Sequence, residues 1–139
     1  MGVVVLDSDV LIGFLSAHDA HHEQAVDWVR DSLAPGMRRL LCAVNLSEIL
    51  IGPLRAGTEG RVERMLVQFA VEAIVVDMAL ARRAADVRAD YETNLKLPDA
   101  YALATAIHAE QRGWEEVRLA SFDEAVLRAH ADLHPDDAG

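Results

Sequence analysis

The chain has 139 residues, 52% hydrophobic and 26% charged, a balance that excludes intrinsic disorder and suffices for one sizeable core. Acidic side chains outnumber basic ones by 23 to 13, and the net charge of −10 excludes broad coating of nucleic acid or attachment to anionic membranes. A local site that borrows positive charge from a metal stays open. Residues 3–6 form a β-branched run expected to be a strand buried on both faces, and they are too few for a signal-peptide core. A helix is expected from near Val10. The polar connection after it holds His18, His21 and His22, read as a solvated loop rather than a metal site. Residues 22–33 place Ala25, Trp28, Val29 and Leu33 at helical spacing, and Pro35-Gly36 stops them. A second strand is expected over 40–44. It contains the single Cys42, which reads as a buried structural thiol and, with no disulfide partner, points to a reducing cytoplasm.

Helices are expected next over 45–54, closed by Gly52-Pro53, and over 60–69, with Val62, Met65, Leu66 and Phe69 on one face. A short strand at 74–76 precedes an Ala- and Arg-rich helix over 79–91. A helix over 98–112 turns Ala100, Leu103, Ala104 and Ile107 inward; a strand at 117–120 and a helix over 122–131 complete the order. Strands alternating with helices need crossover connections, which predicts a three-layer α/β/α fold around a mainly parallel sheet of about four or five strands. No segment has the length of a membrane span.

Ligands of open parallel sheets bind beyond the carboxyl ends of the strands, so acids placed there are the candidates. Asp7 follows the first strand, Glu48 lies one helical turn past the second, and Asp123 follows the last. Asp99 joins them from the start of a long helix. Four converging carboxylates repel one another unless a cation sits among them, and all-oxygen ligation suits Mg²⁺ or Mn²⁺. Each acid also has a local alternative. Asp7 or Asp9 suits a helix cap, Glu48 completes a capping box with Asn45, and Asp99 and Asp123 suit first helical turns. Asp77 also follows an expected strand, but it precedes a helix as an ordinary N-cap and is read as structural.

Four segments together resemble the PIN-domain ribonucleases, in the form of the VapC-type toxins of bacterial toxin–antitoxin pairs. They are Val-Val-Leu-Asp7-Ser8-Asp9, Asn45-Leu-Ser-Glu48, Leu97-Pro98-Asp99-Ala-Tyr-Ala and Leu119-Ala-Ser121-Phe-Asp123. The resemblance implies one PIN-like domain over residues 1–139, with Asp7, Glu48, Asp99 and Asp123 as catalytic and metal-binding acids. It further implies Mg²⁺ or Mn²⁺ that activates water for endonucleolytic cleavage of RNA. Ser8 matches a hydroxyl that orients the first Asp, Ser121 stands where Thr or Asn is frequent, and Glu124 is adjacent to the last acid while Asp132 is distant. The resemblance also implies a homodimer and a VapB-like antitoxin that wraps the toxin and obstructs its site. Ile49, Leu50, Leu54, Met65 and Leu66 offer either core or docking surface for that partner.

The strand followed by Asp7-Ser8-Asp9 also resembles the opening of haloacid-dehalogenase-type phosphatases, with Asp7 as nucleophile. Leu11 stands where that family has Thr or Val, and Lys96 is the only lysine. A non-catalytic PIN-like binding module is the third reading. Lys96, close to Asp99 in sequence, is read as positioning RNA, whereas Arg38-Arg39, Arg82-Arg83 and Arg88 read as solvated faces.

Overall fold

The computed structural model describes residues 2–90 and 95–132, and its centre is the first strand. β1 (Gly2–Leu6) is buried along its whole length, and its side chains alternate between two cores. Val3 and Val5 enter one, Val4 and Leu6 the other, the period-two consequence of a pleated strand covered on both faces. β2 (Met37–Cys42) and β4 (Glu116–Ala120) flank β1, and β3 (Val71–Ile74) lies outside β2. All three pairings are parallel, so four strands end on one edge in the order β3-β2-β1-β4.

One face carries α1 (Ser8–Leu15), α2 (His22–Asp31), α3 (Ala43–Ala56) and α4 (Glu59–Gln68), packed through Val10, Leu11, Ala25, Val29, Ile49 and Met65. The other carries α5 (Met78–Asp90), α6 (Leu97–Gln111) and α7 (Glu124–Asp132). α6 is buried almost all round, and its Ala100, Ala102, Ala104, Ala106 and Ala109 bring neighbouring backbones close. The predicted layers and the mainly parallel sheet are observed, with four strands. Among the described residues no helix is long and apolar enough to cross a membrane.

Register moves several predicted boundaries. β2 begins at Met37, not residue 40, because Gly2 pairs with Met37 and Val5 with Leu40; Ala43 and Val44 then open α3. β3 ends at Ile74, where its partner β2 has ended at Cys42, so Val75 and Val76 follow the strand rather than form it. α3 runs through Gly52-Pro53 to Ala56 and stops at Gly57, whose φ of +72° is a left-handed geometry that glycine adopts at little cost. The predicted end of α5 at Tyr91 lies outside the described residues.

Two arginine expectations resolve differently. Arg82 pairs on the surface with Asp86 at 3.2 Å, as a solvated face would. Arg39 is instead a structural clasp, its guanidinium donating to the carbonyls of Phe69 at 2.6 Å and Ser32 at 2.7 Å. Cys42 is fully buried, as predicted.

Candidate active site

The carboxyl edge of the sheet is where the acids collect. Asp7 ends β1 and caps α1: its Oδ1 accepts the Ser8 N–H at 2.8 Å, and its own N–H donates to Ala120 O at 2.9 Å, tying the ends of β1 and β4 together. Ser121 Oγ donates to Asp7 Oδ2 at 2.9 Å and accepts the Asp123 N–H at 3.0 Å. Asp123 Oδ1 in turn accepts the Ala125 N–H at 2.9 Å at the start of α7. On the other side of β1, Glu48 projects from α3, and Ser8 Oγ donates to its Oε1 at 2.8 Å. Asp99 Oδ2 accepts the Lys96 N–H at 3.1 Å in the first turn of α6.

The capping alternatives and the cleft are therefore not exclusive. Asp7, Asp99 and Asp123 each satisfy a backbone donor with one oxygen while standing at a helix N-terminus on the same edge. Their second oxygens differ: Asp7 Oδ2 holds Ser121, while Asp99 Oδ1 and Asp123 Oδ2 have no hydrogen bond among the described residues. The Asn45–Glu48 capping box does not form, because α3 starts at Ala43 and Asn45 lies inside it. Asp77 is an N-cap, Oδ1 to the Leu80 N–H at 2.8 Å, beyond the outermost strand β3. Glu124 is exposed at the start of α7, and Asp132 lies at that helix's far end.

Two further residues are essential to the arrangement. Asp9 Oδ2 accepts the Phe122 N–H at 3.0 Å and pins the loop after β4 to the first turn of α1, while its Oδ1 is buried without a partner. Asn45 is fully buried; its Nδ2 donates to Pro98 O at 3.0 Å and lies 3.4 Å from Glu48 Oε1, so it joins α3 to the start of α6. The sequence signal for Asn45 is a polar residue one turn before Glu48, a spacing that a capping box shares. Ser8 also differs from its implied role: its hydroxyl is 3.5 Å from Asp7 Oδ1 but 2.8 Å from Glu48 Oε1, and its single proton goes to Glu48.

Electrostatics show that these acids share one space. Burial, then the charge of Asp9 and also that of Asp99, pushes the Asp7 carboxyl from 3.8 up to about 7. Asp9 is raised by burial and by Asp123. Asp99 is raised by burial, Asp123 and Glu48, with Lys96 opposing. The structure thus brings Asp7, Glu48, Asp99 and Asp123 together and adds Asp9. Among the described residues, no three His, Cys, Asp or Glu side chains already converge on one ion position. The fit to a divalent cation is one of chemistry: all-oxygen donors, mutual repulsion and unbonded oxygens on two acids. Ser121→Ala removes a hydrogen bond that favours ionised Asp7, so this carboxyl is expected to titrate higher than in the wild type by NMR. An unchanged titration would show that Ser121 does not hold it.

Of the three histidines expected in a solvated loop, His18 is exposed as predicted, whereas the other two make defined contacts. His22 Nδ1 lies 2.8 Å from Gly13 O, and the His21 ring stacks on Phe122. Beside Glu48, a groove of about 730 Å³ runs between α1, α3 and α4, lined by Ile12, Leu15, Ile51, Pro53 and Val62 with Arg55 at hand. Of the apolar residues weighed as docking surface, Ile49 and Met65 are core, Leu50 and Leu66 pack against it, and Leu54 is exposed.

The family model of the PIN domain matches residues 4–132. The chain belongs to the PIN domain family. This membership displaces the phosphatase reading of Asp7-Ser8-Asp9. Among solved structures, this PIN domain resembles a toxin–antitoxin complex from Klebsiella pneumoniae at 24% identity, covering 86% of each chain with a TM-score of 0.62. It also resembles VapC20 of Mycobacterium tuberculosis, a Sarcin-Ricin loop cleaving toxin, at 20% identity over 91% of this chain and 94% of that one, TM-score 0.67. FitAcB from Neisseria gonorrhoeae matches at 20% identity over 91% of this chain and 92% of that one, TM-score 0.64. At such identities the likeness establishes the fold. No curated protein sequence matches the chain.

Proposed function

We propose that this PIN domain protein is a divalent-metal-dependent endoribonuclease acting as the toxin of a toxin–antitoxin pair. One observation carries the reading: acids from four separate elements stand at one sheet edge, close enough that, on top of burial, the charges of Asp9 and Asp99 raise Asp7 and those of Asp123 and Glu48 raise Asp99. Asp7, Glu48, Asp99 and Asp123 would hold Mg²⁺ or Mn²⁺. When bound, such an ion neutralises phosphate charge and lowers the pKa of water, which is the chemistry phosphodiester hydrolysis needs. The chain's own residues keep the acids in place: Ser121 holds Asp7, while Ser8 and Asn45 hold Glu48. Lys96, beside Asp99, is the cation nearest the acids along the chain and would position RNA.

The structural neighbours include toxin–antitoxin complexes, which supports an antitoxin partner for this chain. A VapB-like partner with a basic segment suits a chain of net charge −10, and the groove beside Glu48 offers it apolar seating. A cytoplasmic homodimer belongs to the same reading. The test is cleavage of RNA by purified protein, first in chelator and then with Mg²⁺ or Mn²⁺ restored. Internal cuts that appear only with the ion are expected, and sequencing the new ends identifies the target. Cleavage that persists in chelator would overturn the metal; no cleavage with either ion would leave a non-catalytic PIN-like binding module.

A further inference from the structure

The connection between α1 and α2 meets the loop after β4 in an aromatic stack beside the acids. The His21 ring lies over Phe122 with centroids 4.6 Å apart and planes inclined by 19°, and Trp28 meets Phe122 edge-on at 6.5 Å. The stack is held from both sides. Phe122 sits between Ser121 and Asp123 with its N–H on Asp9 Oδ2 at 3.0 Å, and its ring packs against the core. Asp19 Oδ1 accepts the His21 N–H at 2.8 Å, and Gln24 Oε1 lies 3.3 Å from His21 Nδ1. His21 itself is exposed. α2 is anchored by Ala25 and Val29, so a flat ring laid outside the core adds little to packing.

A chain of net charge −10 with an acidic cleft gains little from general attraction to phosphates. Stacking on an aromatic face brings affinity without opposing that charge, and every base has a face to offer. We infer that His21, backed by Phe122, is a stacking platform for an unpaired nucleobase of the RNA, next to the carboxylates. This rests on the ribonuclease reading and adds to it a residue that positions the substrate; the platform takes an unpaired base, because a base inside a duplex has no free face.

Steady-state cleavage of a short single-stranded RNA, with Mg²⁺ or Mn²⁺ present, tests the platform. His21→Ala is expected to raise KM about tenfold to a hundredfold with little change in kcat, and His21→Tyr, which keeps a flat ring, to restore KM. Melting temperatures of both variants should stay within about 5 °C of the wild type, since the ring lies outside the core and only one stacking contact is lost. Binding of an abasic ribose–phosphate oligomer of equal length should be the same for wild type and His21→Ala, as it has charge but no base. An unchanged KM in His21→Ala, a His21→Tyr variant as poor as His21→Ala, or a loss confined to kcat would overturn the platform while leaving the nuclease intact. Failure of the wild type to cleave any RNA would instead overturn the ribonuclease reading, and the platform with it.

Discussion

Asp7→Asn is expected to abolish RNA cleavage and, in chelator, to make the protein more stable above pH 7. The loss of activity should exceed the roughly 10–100-fold that removal of a group merely supporting a metal ligand costs. The gain in stability follows from the raised carboxyl. Its folded value is about 7 against an ordinary 3.8, because burial and the neighbouring acids penalise the charged form. Folding therefore takes up a proton, and no penalty exists below pH 3.8. The stability contribution is lost progressively as pH rises towards 7, by up to about 4 kcal/mol. Asn carries no charge, so unfolding of Asp7→Asn in urea without divalent ions should show a flatter profile between pH 4 and 8. Parallel profiles for wild type and variant would sink this account. Mg²⁺ should stabilise the wild type most at high pH and Asp7→Asn hardly at all.

Asn45→Asp is expected to destabilise the fold by about 3 kcal/mol at pH 8, the cost of an uncompensated buried charge. Asn45 is fully buried, and its amide donates to Pro98 O with Glu48 Oε1 close by. A carboxylate there meets a carbonyl oxygen and a second carboxylate and has no donor to offer either. The new group is neutral when protonated, so the damage should grow as pH rises from 5 to 8. Asn45→Ala loses the same hydrogen bonds without adding charge and should cost about 1–3 kcal/mol with little pH dependence. Chemical denaturation of both variants at the two pH values decides between them. Equal stability of Asn45→Asp and wild type at pH 8 would show that Asn45 does not brace α3 against α6.

The fold class was legible because local patterns encode it. The β-branched run before Asp7, the helical spacing of Ala25 and Val29 and the alternation of the two element types need no knowledge of neighbours. Boundaries were less legible where pairing sets them. Arg38 and Arg39 look unlike a strand, yet they pair with Val3 and Val4 because β1 requires partners along its whole length. Val75 and Val76 look like a strand, yet β2 has already turned into α3 and offers them no partner.

The acids divide in the same way. Asp7, Glu48, Asp99 and Asp123 were readable as candidates because Asp7 and Asp123 follow strands, Asp99 opens a helix and Glu48 lies early in the helix after a strand, and parallel strands end on one edge. The layers, the edge and the acids available to it thus follow from local pattern. The contacts come from the folded arrangement: Ser8 turning to Glu48, Ser121 reaching back to Asp7, Asn45 bracing Pro98, Asp9 holding Phe122 and His21 lying on that ring. The difference is one of range. Propensity and periodicity act over a few residues, whereas these contacts depend on strand register and on loops that meet only once the sheet has closed.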